Sequence, residues 1–316
     1  MQKLTGKRNL WFAISLAMII PGVISLILFG LRLGIDFTGG TLIELQFASS
    51  ASTEDIKEVL AEAGYDNAIV QTTGGSDDNS ILIRTAEVQQ GSPEKEVLYT
   101  AITSSIGEFE EREFETIGSS VGNQIRDRSV VAVILASIGV LAYIGYAFRN
   151  TQRALLYGIC AIVAMLHDLV IVIGLFSILG KVANIEVDAL FVTAILTIIG
   201  FSIHDKIVVF DRIRENIGRS ASASFEDTVN YSIVQTVVRS INNSMTVIFT
   251  LLALYLFGGS STQVFVLVLL IGMVLGTYSS IFTAAQLLVS WESGDIQRLF
   301  GRVRGRGVTP EVAPSR

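Results

Sequence analysis

Six stretches of the chain stay apolar long enough to cross a hydrocarbon core, which takes about 20 residues of helix. They cover roughly 10–30, 130–148, 154–179, 189–210, 241–258 and 264–290, and the start of the fifth is the least sharply marked. Between the first two the pattern changes. Thr41 to Phe47 alternates, with Ile43, Leu45 and Phe47 on one face, which predicts a half-buried strand. Ile56, Val59, Leu60 and Ala63 then recur at helical spacing behind a Ser52 or Thr53 cap. Ala68–Thr73 and Asn79–Thr85 read as strands joined by the Gly/Asp-rich turn Gly74 to Asp78. Ser92-Pro93 opens a second helix, with Val97, Leu98, Ala101, Ile102 and Ile106 on its buried face. A last strand near Arg112–Ile117 completes the order βαββαβ, the ferredoxin-like split βαβ arrangement.

Composition agrees with a polytopic α-helical membrane protein carrying an α+β domain between helices one and two. Half of the residues are hydrophobic (50%) and only 16% are charged, against about 25% in a soluble domain. The apolar run from Leu10 to Phe29, behind Lys3, Lys7 and Arg8, is longer than a signal-peptide core and is followed by no small-x-small cleavage pattern. It reads as a retained helix, with Pro21 kinking it. Cys160 is the single cysteine, so no intrachain disulfide forms.

Charge then orients the chain. With the N-terminus inside, the cytosolic segments hold fourteen basic residues: Lys3, Lys7, Arg8, Arg149, Arg153, Arg212, Arg214, Arg219, Arg239, Arg298, Arg302, Arg304, Arg306 and Arg316. The short outer loops, 180–188 and 259–263, hold only Lys181. That asymmetry puts both termini in the cytosol. Residues 31–129 carry 18 acidic and 7 basic residues and form the outer domain; long loops cross regardless of charge. The expected division is 1–30 for the N-terminus and first helix, 31–129 for the outer domain, and 130–291 for helices two to six with a cytosolic loop at 211–240. An Arg-rich tail at 292–316 follows, for which attraction to anionic lipid is one reading.

Ionisable groups at mid-membrane cost about 2.5–3.5 kcal/mol each on insertion scales, so each needs a reason. Asp168, next to His167, lies about 21 Å into the third helix. It serves either helix packing or a proton-carrying or gating role. Asp205, between His204 and Lys206, lies about 8 Å from the cytosolic edge of the fourth helix. Lys206 has a stem long enough to snorkel to that edge, whereas Asp205 is too short. Ser202 precedes them on the same face, and Gly200 offers close approach to a neighbouring helix. Arg239 is either a positive-inside anchor or, if its helix starts earlier, a mid-helix cation at the depth of Asp205. An arginine facing the aspartate would favour its charged form, so moving the two apart would load a proton. Gly272-x-x-x-Gly276 is a helix-packing motif. Asp211 to Asn216 reads as a solvated helix, and Asp36-Phe-Thr-Gly-Gly40 as a turn. No phosphate-cradling loop, metal-ligand cluster or nucleophile–base arrangement suggests an enzyme.

Several segments together resemble one family. They are Gly34-Ile-Asp-Phe-Thr-Gly-Gly40, Ala164-Met-Leu-His-Asp-Leu169, Ile199-Gly-Phe-Ser-Ile-His-Asp205, Ile207-Val-Val-Phe-Asp-Arg-Ile-Arg-Glu-Asn216, Arg239-Ser-Ile-Asn-Asn-Ser244, Leu256-Phe-Gly-Gly259 and Gly276-Thr-Tyr-Ser-Ser-Ile281. In order and topology, over 8–292, the chain resembles the SecF branch of the SecD/SecF family, within the resistance-nodulation-division superfamily. The resemblance implies a non-enzymatic subunit of the bacterial Sec translocase in the inner membrane, which uses the proton gradient to promote protein export. It implies no bound cofactor and no nucleic acid. Its implied partners are SecD, the SecYEG channel, SecA, YajC, the translocating polypeptide and membrane lipids. By motif, Asp205 and Arg239 correspond to the family's proton pathway. His167, Asp168, Ser202, His204 and Lys206 are secondary candidates. The family commonly has Asn-Asp-Thr or Asn-Asp-Ser where this chain has His204-Asp205-Lys206, which adds a titratable group and a second cation. Two rival readings stand beside this one: half of a small-molecule or lipid exporter of the same superfamily, and a translocon scaffold that conducts no protons.

Overall fold

The computed structural model describes residues 5–73, 79–149, 154–219 and 224–294. The Gly74 to Asp78 turn and all but the first residues of the Arg-rich tail lie outside them. Six helices are long and apolar enough to cross a membrane. The first is α1 (Arg8–Phe29), which continues through Pro21. A short turn of helix, α2 (Ile35–Thr38), leads into β1 (Gly40–Phe47), α3 (Thr53–Glu62), β2 (Ile69–Thr73), β3 (Ser80–Thr85), α4 (Pro93–Ser105) and β4 (Phe109–Ile117). The remaining spans are α5 (Ser119–Ala147), α6 (Ala154–Val182), α7 (Ala189–Arg219), α8 (Phe225–Phe257) and a composite of α9 (Ser260–Ser279), a π-helical turn (Ser280–Ala284) and α10 (Ala285–Glu292).

The βαββαβ order expected from the alternation is present, as one antiparallel sheet in the order β2-β3-β1-β4. Ile43, Leu45, Phe47, Ile81 and Ile83 cover one face and pack on Ile56 and Leu60 of α3 and on Leu98 and Ile102 of α4. Ser52 caps α3 by accepting from the amides of Glu54 and Asp55, and Ser92 caps α4 ahead of Pro93. Two details differ from expectation. Val97 points outward, 62% exposed, because it stands one residue, about 100° of turn, from the buried Leu98. β4 starts at Phe109 rather than near Arg112, and a bulge opposite Glu44 and Leu45 absorbs the extra length.

Three helices run well past their apolar stretches. α5 starts at Ser119, so 119–129 belong to a helix, where Gly122 lies against the backbone of Phe37 and Gly39. α7 continues to Arg219 and α8 begins at Phe225, so the stretch expected as a loop at 211–240 is two long helix ends around the undescribed 220–223. Polar side chains clamp those ends: Asn216 donates to Ser232 at 2.8 Å and to Gln235 at 2.9 Å, and Arg212 donates to Gln235 at 2.6 Å. Hydropathy sees the membrane core, whereas helix length is set by such contacts outside it.

Burial divides the spans in two. In their most apolar windows α6 is 56% buried, α7 50% and the composite last span 44%, against 17% for α1, 6% for α5 and 11% for α8. The first three form the centre, and the others present apolar faces outward. Small residues let the backbones close up. A Cβ on Gly174 of α6 would sit 2.6 Å from the Gly22 Cα of α1, and Ser25 and Ser177 hydrogen-bond at 2.9 Å one turn on. Gly272 packs directly under Ile198 and Gly276 against Ser202, so the G-x-x-x-G spacing seats the last span on α7. Gly200 does not share that role. It is exposed, with no neighbour within 4 Å of where a Cβ would stand.

The α+β unit is fastened to the bundle at the start of α7. Arg84 of β3 and Arg32 both pair with Glu186 in the α6–α7 loop. The Gly34 amide donates to the Val187 carbonyl at 2.7 Å, and Asp36 accepts from the Ala189 amide at 2.6 Å. Asp188 caps α7 by accepting from the Phe191 amide at 2.7 Å. Gly39 and Gly40 have φ of 75° and 125°. A Cβ on either would strike Ser119 or the Thr85 carbonyl at 2.6 and 2.7 Å. The Asp36-Phe-Thr-Gly-Gly40 segment is therefore a docking element as well as a turn.

Candidate functional site

Asp205 and Arg239 line one open cavity of about 340 Å³ between α7 and α8, together with His204, Val208, Ser240, Asn242, Asn243 and Thr246. The helical repeat explains the lining. Arg239, Asn242, Asn243 and Thr246 stand at i, i+3, i+4 and i+7, which is a single face of α8. α8 begins about four turns before Arg239, so this cation lies well inside a helix rather than at its start.

The two principal candidates are held differently. Asp205 is 8% exposed, with the buried Ser244 hydroxyl facing its carboxylate. Ser244 in turn accepts from Thr277 of α9 at 2.6 Å. Arg239 and His204 are exposed along the cavity. Among the described residues no ion pair within 4 Å joins Arg239 to Asp205. An acid and a guanidinium thus share one polar, water-accessible space without being locked together. The space has room for several waters with polar partners on both walls. Such a site can take up a proton at the carboxylate and pass it along hydrogen-bonded groups.

The secondary candidates separate into two sets. His204 belongs to the cavity. Lys206, adjacent in sequence, points about 100° away and is fully buried, so it does not snorkel to the membrane edge. Its Nζ lies 2.7 Å from Asp168 Oδ2 and 3.3 Å from the Ser202 carbonyl, and it also donates to the Ser202 hydroxyl. Ser202 donates to the same Asp168 oxygen at 2.6 Å, and His167 Nδ1 lies 3.0 Å from Asp168 Oδ1. His167, Asp168, Ser202 and Lys206 therefore form a buried charged cluster joining α6 to α7. The second cation at Lys206 pairs directly with Asp168 and acts on Asp205 only at longer electrostatic range. Among the described residues no group of three or more His, Cys, Asp or Glu side chains is placed to hold a metal ion.

Asn242 and Asn243 stood within the Arg239-to-Ser244 motif without a role of their own, and Thr246 stood outside every motif. The signal was present: polar residues at helical spacing with Arg239, in a helix that must cross the membrane. Ser244 and Thr277 lay within the family motifs, but nothing marked their contact with each other or with Asp205, because a lone hydroxyl in a spanning helix usually bonds its own backbone.

Comparison with known proteins supplies the context. The profile described as protein export membrane protein SecD/SecF, C-terminal, matches residues 98–294, and that of the SecD/SecF GG motif matches residues 24–51. The protein translocase subunit SecF of Thermobaculum terrenum is 55% identical over 313 residues, covering 97% of each chain. That of Anaerolinea thermophila is 45% identical over 307 residues, covering 96% of this chain and 98% of the other. The protein translocase subunit SecDF of Bacillus subtilis is 35% identical over 298 residues, covering 93% of this chain and 38% of its own. Among solved structures, SecDF from Thermus thermophilus superposes with a TM-score of 0.81 at 30% identity, covering 92% of this chain and 39% of that one. The chain thus spans about two fifths of the length of the SecDF proteins it matches. Over nearly its whole length, it belongs to the SecD/SecF family of protein-export membrane proteins.

Proposed function

We propose that this chain is the SecF-type subunit of a bacterial Sec protein translocase, that it pairs with a SecD-type subunit, and that proton entry at Asp205 drives its part in export. The observation that carries the reading is the shared cavity: a buried carboxylate and an exposed guanidinium face one polar space inside two membrane-spanning helices. Relatives in which both parts form one SecDF chain supply the natural partner. The sparsely buried α8 side, where the cavity opens, is the side such a partner would cover. The basic residues flanking the spans support an inner-membrane protein with cytosolic termini and the α+β unit on the outer side.

In this reading, Asp205 loses its charge on protonation and no longer attracts Arg239 across the cavity, so α7 and α8 settle differently. One charge crossing 100 mV carries about 2.3 kcal/mol, enough to bias such a change. The motion reaches the outer unit directly, because Asp36 and Glu186 tie that unit to the start of α7. SecYEG, SecA and YajC would then be neighbours of the complex, with the exported polypeptide as its substrate. The names and coverage of the relatives favour this reading over a half-exporter. A scaffold reading predicts that neutral replacements are tolerated. Asp205→Asn and Arg239→Met in the full complex should each abolish the gradient-dependent part of export while the complex still co-purifies. Full export in either variant would refute the proton role.

A further inference from the structure

The buried charged cluster lies outside the cavity and needs its own account. Lys206 is 0% exposed and Asp168 1%. A lysine so placed has surrendered its hydration, and only its three oxygen contacts replace it. Asp168 is equally committed: one oxygen takes Ser202 and Lys206, the other takes His167. Breaking the pair would strand two charges inside the bundle, so α7 cannot turn about its axis without disturbing it.

The third side of this cluster is the last span. Gly276 sits against Ser202, and Ser279 donates to the Ala164 carbonyl at 3.4 Å. These contacts place the π-helical turn Ser280–Ala284 at the level of Lys206 and Asp168. The turn buries Ser280, Ile281, Thr283 and Ala284; the Ser280 hydroxyl donates to the Gly276 carbonyl at 2.7 Å, and Thr283 lies 3.4 Å from the Ser15 hydroxyl of α1.

We infer that Lys206 is a positioning residue: its buried pair with Asp168 fixes the rotation of α7 and so aims the neighbouring Asp205 into the α8 cavity. The inference rests on the proton reading of Asp205 for its functional meaning but not for its geometry. Lys206 does not touch the cavity. It acts through the helix they share, where a fixed angle of about 100° separates adjacent side chains. Because each partner alone would leave a bare buried charge, the informative variant is the neutral double replacement Asp168→Asn with Lys206→Met.

The test reads the rotation of α7 directly. In the full complex with its SecD-type partner in membrane vesicles, Cys160 is replaced by alanine and Val208, on the cavity wall, by cysteine. Labelling by a small hydrophilic thiol reagent is then compared within that background, with co-purification of the partner confirming assembly. The double replacement should change the labelling rate by about fivefold or more relative to the same cysteine background with the buried pair intact. Gradient-dependent export should fall with it. An unchanged labelling rate in the assembled double variant overturns the positioning role. A changed rate with full export upholds the positioning role and instead counts against the proton reading of Asp205.

Discussion

Neighbouring side chains on α7 do opposite things, and the difference is one of angle. Asp205 reaches a polar space open to water-sized molecules, and Lys206 is sealed into the bundle. Removing one partner of a buried pair costs about 3–5 kcal/mol, because the other is left uncompensated. Lys206→Met alone and Asp168→Asn alone should therefore lower the thermal stability of the detergent-solubilised complex more than the two changes together. A double-mutant cycle on the unfolding midpoints checks this, and simple additivity would contradict it. At this scale the sequence was partly legible. A charge in an apolar run announces that it needs a partner, so Asp168, Asp205 and Arg239 stood out. Which partner each one has depends on helix rotation. For that reason Lys206 read as a neighbour of Asp205 when its ammonium belongs to Asp168.

Between elements, contacts of two kinds set the geometry. Within the membrane, α1 and α6 meet backbone to backbone at Gly22 and Gly174. A valine at 174 has nowhere to go, because what it meets is main chain rather than a flexible side chain. Gly174→Val should destabilise the chain by about 1–3 kcal/mol, seen as loss of folded protein during graded denaturation, with no change if the helices can part freely. Beyond the apolar spans, the α+β unit meets α7 through a cluster of charges. Burial, then the proximity of Arg32, lowers the Arg84 pKa to about 10, and Arg84 stays charged at neutral pH. Burial, and then repulsion from Asp36, holds the Asp188 carboxyl above the usual range despite the amides it accepts from. An acid whose folded pKa is raised favours the folded arrangement below its ordinary pKa and loses that contribution as pH rises through the raised value. Mild acidification on that side should thus tighten the junction, read as slower amide exchange around Val187 to Phe191. Asp188→Asn keeps a cap on α7 and should flatten the pH dependence; an unchanged profile would contradict the assignment. The helices and strands were legible because apolar periodicity repeats within each. The helix end at 119–129 was not, and those at 211–219 and 225–240 were legible only in part, because partners distant in sequence hold them.

At the scale of the whole molecule, three central spans are packed tightly and three outer ones leave apolar faces uncovered. The cavity opens beside α8, one of the least buried spans. The isolated chain thus leaves the mouth of the cavity uncovered, and the SecDF relatives are more than twice its length. The six spans and the family were readable from hydropathy and spaced motifs, since those are one-dimensional properties of the chain. The cavity was readable only as a depth match between two helices. The most direct test of its role is an infrared difference spectrum of the full complex in vesicles with and without an imposed proton gradient, wild type against Asp205→Asn. A protonated-carboxyl carbonyl band that appears with the gradient in wild type and vanishes in the variant is the predicted result. Identical difference spectra from the two proteins would contradict proton loading at Asp205.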